Sequence, residues 1–161
     1  MITAIVLFFT IMGGVWRWWD GRGYGPNWLR MGSCGVLAAL ALAPVGWWAI
    51  PLGAVFAAIW SFRQKNREEL DDMALRWILP FAVFGIILGL VTGSIYSAVT
   101  MVAAGAIISV LVWGGTHVSM GRFDSTAVTE AAAGAVAFGA LALTIWVMVL
   151  RQHGLFPPHL F

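Results

Sequence analysis

Charge is what this chain has least of. Asp, Glu, Lys and Arg together make up 10% of its 161 residues, where a soluble domain carries about 25%. Lysine occurs once, as Lys65, and cysteine once, as Cys34. A lone cysteine excludes an internal disulfide and a cysteine metal cluster. It reads as a small buried residue at the start of a helix. The net charge of +2 is too weak for a nucleic-acid-binding surface. Apolar residues fill the space instead: 61% of the chain is hydrophobic, and its mean hydropathy is +0.89. So few polar residues cannot coat a core of this size with a water-facing surface. The composition excludes a soluble enzyme, a disordered tail and a nucleic-acid-binding domain. It predicts an all-α polytopic transmembrane bundle forming a single domain over 1–161.

The apolar runs are 1–16, 31–62, 77–113 and 127–150. Residues 1–16 lack a basic leading segment and a cleavage site, and read as a retained first span. The run 77–113 divides at Thr92-Gly93-Ser94. The run 31–62 is too long for one span and short for two, but Pro44-Val45-Gly46 marks a turn in its middle. The positive-inside rule decides the count. With a hairpin at Pro44–Gly46, the charged loops share one side, which holds Arg17, Arg22, Arg30, Arg63, Lys65, Arg67, Arg76 and Arg122. Only Arg151 then lies on the other side. A single span at 31–62 would divide the basic residues almost evenly. The expectation is therefore six spans, near 1–16, 28–44, 46–62, 77–93, 94–113 and 127–150. The second and third are short and form the hairpin. The loops 17–27, 63–76 and 114–126 are cytoplasmic, and both termini lie outside.

Ten tryptophans read as interfacial belts. Trp16, Trp18, Trp19, Trp28, Trp60, Trp77 and Trp113 fall near the inner boundary, and Trp47, Trp48 and Trp146 near the outer one. Gly85, Gly89 and Gly93, spaced by four, predict close helix packing on the fourth span, because small residues let backbones approach. Gly105 with Ser109, Ala131 with Ala135 and Gly139, and Gly35 with Ala39 and Ala43 offer similar faces.

Polar chemistry gathers in two glycine-rich loops. Residues 17–30 hold Arg17, Arg22 and Arg30 with Asp20 as a charge partner. Guanidinium forks and exposed backbone N–H groups suit phosphate or anionic headgroups, but the spacing of a nucleotide-binding loop is lacking. The plain alternative is an interfacial loop meeting anionic lipid nonspecifically. Asn27 suits the N-cap of the second span. Residues 114–126 hold His117 and Asp124, an acid–base pair by residue type, with Arg122 as an anion ligand. The plain alternative makes His117 a hydrogen-bonded structural residue. Zinc wants three or four ligands, so no metal and no cofactor is expected. Glu130 falls one turn into the sixth span, where it suits the positive end of that helix or serves as an intramembrane acid. If the two loops converge, the arginines share one space at the inner leaflet, and pairing with Asp20 and Asp124 is favoured over an external anion. The loop 63–76 balances its charges and reads as a solvated connector.

The segments Gly13-Gly14 with Arg17, Arg30 at the opening of the next span, and Gly115-x-His117-x-x-Met120-Gly121 resemble small membrane proteins encoded by tailed phages and prophages. The resemblance covers about a third of the chain. It implies a phage accessory role, such as superinfection exclusion or envelope remodelling, in a bacterial inner membrane. The first expectation is thus a non-enzymatic inner-membrane protein that binds anionic lipid headgroups, a membrane partner or its own copies, and no nucleic acid. The alternatives are a small lipid-active enzyme using His117, Asp124 and the arginines, and an oligomeric channel or holin-like pore.

Overall fold

The structure is a computed structural model that describes residues 2–65, 73–117 and 125–152. These residues form six α-helices: α1 (Ile2–Gly21), α2 (Asn27–Ala41), α3 (Ala49–Lys65), α4 (Met73–Thr92), α5 (Ile95–His117) and α6 (Ser125–Gln152). A 3₁₀ segment, Ala43–Trp48, joins α2 to α3. No strand occurs among the described residues. Two stretches there are long and apolar enough to cross a membrane: Ala43–Ser61, running from the 3₁₀ segment into α3, and Ala127–Trp146 in α6. Trp77–Thr92 and Ile95–Leu111 are apolar but shorter.

The run 31–62 breaks where its sequence carries the turn signal. Pro44 opens the 3₁₀ segment, and Gly46 takes φ +72°, a conformation that side chains with a Cβ avoid. The chain reverses there, and α3 folds back along α2. The two backbones meet at glycines: a Cβ on Gly53 would lie 2.7 Å from the Gly35 carbonyl oxygen.

Two further pairs repeat this logic. α4 and α5 form a hairpin in which a Cβ on Gly85 would lie 2.8 Å from the Met101 Cβ. One on Gly105 would lie 2.8 Å from the Trp77 carbonyl oxygen. α1 lies along α6. A Cβ on Gly13 would meet the Gly134 carbonyl oxygen at 2.6 Å, and Thr10 faces Gly139. Partner numbers fall on α6 as they rise on α1, so this pair is antiparallel. α5 joins the α4–α5 and α1–α6 pairs by packing on α6, and the α2–α3 pair touches α1, α6 and α4.

Gly93 differs from Gly85 and Gly89. Its φ of +66° and open surroundings make it the turn residue between α4 and α5. The Ser94 N–H donates to the Gly89 carbonyl at 3.0 Å and closes the end of α4.

The tryptophan belt is corrected in part. Trp16, Trp60 and Trp77 are buried, with Phe56, Phe81, Phe84 and Phe138, in one aromatic core. Their rings meet edge-on, tilted or stacked, at 5.0–6.2 Å, the spacing that aromatic quadrupoles favour. Trp18, Trp28, Trp47 and Trp48 are exposed. The hydroxyls of Thr10, Thr92, Thr100 and Thr144 donate to carbonyls one turn back in their own helices, a local bond that lets a polar side chain sit in an apolar helix.

Candidate functional site

The described polar chemistry gathers where α1 ends beside α2, α3 and α6. α1 outruns its apolar stretch by a full turn and carries Arg17 and Asp20 inside the helix. Spaced by three, they face each other: Arg17 Nη1 donates to Asp20 Oδ2 at 2.7 Å. Arg17 Nη2 lies 3.1 Å from Glu130 Oε1 on α6. Arg17 and Asp20 are only 5% and 3% exposed. The α1–α6 contact over Gly13 and Gly134 brings the two helices close enough for the pair to form. The Arg17 guanidinium also lies 5.6 Å from the centre of the Trp60 ring, in the range of a cation–π contact.

Arg30 approaches the same aspartate from α2. Its Nη1 donates to the Asp20 backbone carbonyl at 3.2 Å and lies 3.5 Å from Asp20 Oδ1. Its Nη2 donates to Asn27 Oδ1. That bond corrects the expected N-cap. Pro26 occupies the cap position with no side-chain bond, and Asn27 is the first helical residue, turned to Arg30. The Trp16 indole N–H donates to Ser33 Oγ at 2.9 Å, and Ser33 Oγ donates to the Arg30 carbonyl, which ties α1 to α2.

Arg17, Arg30 and Asp20 thus converge. Arg22 does not join them; it is exposed and covers the Trp18 ring at 4.9 Å. His117 is the last residue of α5, but its side chain lies outside the described part, as do Asp124 and Arg122 altogether. The predicted His117–Asp124 pair therefore has no described geometry. Glu130 belongs to the cluster through Arg17, a partner that neither its helix-end nor its intramembrane reading supplies. Its signal was its rarity: it is the only carboxylate inside the last apolar run.

A cleft of about 380 Å³ opens beside the cluster, with Trp16, Asp20, Arg30, Cys34, Trp60 and Ser61 in its wall. Arg30 Nε and Trp60 Nε1, both buried atoms, make no hydrogen bond within the protein. A buried donor left so costs free energy on the order of 1–3 kcal/mol. Among the described residues no three of His, Cys, Asp and Glu gather as a metal site would need. Comparison with protein-family models, with curated proteins and with solved structures finds no match to this chain.

Proposed function

We propose that the chain is a polytopic integral membrane protein of six spans that acts by binding rather than by catalysis. The observation that carries this reading is an inverted distribution of polarity. Arg17 and Asp20 are buried, while Ile50, Leu90 and Ile95 are 74–80% exposed. Large apolar side chains face outward from every helix. Water penalises that surface, and hydrocarbon accepts it. Two of the helical stretches have the length and composition to cross on their own. The shorter ones fit a thinned bilayer or support from neighbouring helices. Glycine contacts supply the close packing that holds helices together in lipid.

The binding role rests on how the charges are used. Arg17 is committed to two carboxylates, which is the arrangement of a structural lock. The outward apolar surface and the exposed Trp18 and Trp28 suit lipid, a membrane partner or further copies of the chain. The motif resemblance to phage and prophage membrane proteins adds a bacterial inner membrane as the site of action, and exclusion or envelope remodelling as the role.

Carbonate extraction and cysteine labelling test the reading. The chain is expected to stay in the membrane pellet. In a Cys34→Ala background, Trp47→Cys and Ile95→Cys should react with an impermeant reagent outside, and Tyr24→Cys only after permeabilisation. Release by carbonate refutes membrane integration. Outside labelling of Tyr24→Cys refutes the six-span topology.

A further inference from the structure

We propose that the cleft between the end of α1, α2 and α3 binds a phosphodiester oxyanion, carried by the headgroup of a membrane phospholipid. The proposal rests on the membrane reading above and adds a ligand to it.

The first observation is the pair of unmatched donors. Arg30 and Trp60 both line the cleft, and Arg30 Nε and Trp60 Nε1 have no protein acceptor. Trp60 is 2% exposed, so bulk water does not reach it freely. Both groups donate and neither accepts. A ligand that satisfies them must present acceptor oxygens.

The second observation is charge. Asp20 turns its Oδ2 to Arg17 at 2.7 Å, and Glu130 takes the other arm of Arg17. Arg30 keeps only a 3.5 Å contact with Asp20 Oδ1 and two neutral acceptors, the Asp20 carbonyl and Asn27 Oδ1. In the cluster Arg17 and Arg30 stand against Asp20 and Glu130, and Arg30, whose nearest carboxylate oxygen is 3.5 Å away, is the less closely compensated of the two cations. A phosphodiester carries one negative charge and several acceptor oxygens, and guanidinium donors suit it. A neutral carbonyl would fill the donors but give the Arg30 guanidinium no closer counter-charge.

The third observation is the rim. Met31 in the cleft wall, and Val36 and Leu40 further along α2 into the membrane, are exposed. They give acyl chains an apolar surface on the membrane side of a headgroup held at Arg30. A free phosphodiester has no use for that surface, so the lipid is the favoured source.

Delipidated full-length protein in a neutral detergent provides the test. Native mass spectrometry and thermal unfolding would follow titration with phosphatidylglycerol, with diacylglycerol, and with glycerophosphoglycerol, the headgroup without its chains. Phosphatidylglycerol is expected to bind one per chain and raise the unfolding temperature, and diacylglycerol to do neither. A response to glycerophosphoglycerol at similar concentration identifies the free phosphodiester as the ligand source; a response to the lipid alone identifies the membrane. Arg30→Gln and Trp60→Phe should each weaken binding about tenfold, the size of one hydrogen bond to a charged acceptor. Unfolding curves without ligand show whether each variant is folded, and the wild-type series decides even if Trp60→Phe is not. Equal binding of phosphatidylglycerol and diacylglycerol overturns the proposal, and so does a folded Arg30→Gln variant that binds like wild type. A membrane-integrated chain indifferent to phosphate sinks this site alone. A chain released by carbonate sinks the membrane reading as well.

Discussion

Arg17→Met is the substitution that tests the buried charge cluster most directly. Arg17 is 5% exposed and holds Asp20 at 2.7 Å and Glu130 at 3.1 Å. Methionine keeps much of the side-chain length and packing but leaves two carboxylates without their shared cation. Removing one partner of a buried ion pair costs about 3–5 kcal/mol, because the remaining charge is stranded. Arg30 moderates the loss at Asp20 from 3.5 Å. For a chain of this size the loss corresponds to a fall in unfolding temperature on the order of 10 °C. Glu130→Gln alone should cost less, since Arg17 keeps Asp20. The informative variant combines the two. Glu130→Gln removes the charge that Arg17→Met would strand, so the double variant should lose clearly less than the two single losses added. Thermal unfolding in one detergent, monitored by circular dichroism, gives all four corners of the cycle. A loss under about 1 kcal/mol for Arg17→Met, the range of an exposed pair, would refute the reasoning. So would strict additivity.

Glycine positions should divide by their surroundings when probed in the same assay. Gly85→Leu should be strongly destabilising, because a Cβ there already meets the Met101 Cβ at 2.8 Å and the Ala98 Cα at 2.9 Å; unchanged stability would dismiss the α4–α5 contact. Gly93→Ala should cost about 1–2 kcal/mol through its positive φ, with no packing component, whereas Gly32→Ala, with nothing within 4 Å, should be neutral or stabilise α2 by up to about 1 kcal/mol. Trp16→Phe keeps an aromatic ring in the core but loses the bond to Ser33, for a loss of about 1 kcal/mol from that bond; Ser33→Ala should cost a similar amount, and Ser33→Ala in the Trp16→Phe background little more. Arg22→Gln should leave stability within about 0.5 kcal/mol, because its contact with Trp18 is exposed, and a larger loss would mean that Arg22 belongs to the buried cluster.

Helix order was legible in the sequence because its causes are local. The chain reverses between α2 and α3 because Pro44 cannot continue a helix and Gly46 can take φ +72°. It turns after α4 because Gly93 supplies the left-handed residue that ends that helix. Small residues at helical spacing marked Gly85 as a contact position, and scarce charge marked Arg17, Asp20 and Arg30 as the polar centre. Which face of each helix turns inward was not legible. A helix that is apolar on every side gives hydropathy no face to mark, so Trp16, Trp60 and Trp77 looked like boundary residues until packing placed them in the core. The same limit hid Glu130. Local spacing offered it a helix end, whereas its partner Arg17 lies at the other end of the chain and meets it only because α1 and α6 pack antiparallel across Gly13 and Gly134. Composition and turn chemistry determine which segments are helices and where they stop; the partners of buried charges and indoles are decided by contacts between segments far apart in sequence, which only the tertiary structure brings together.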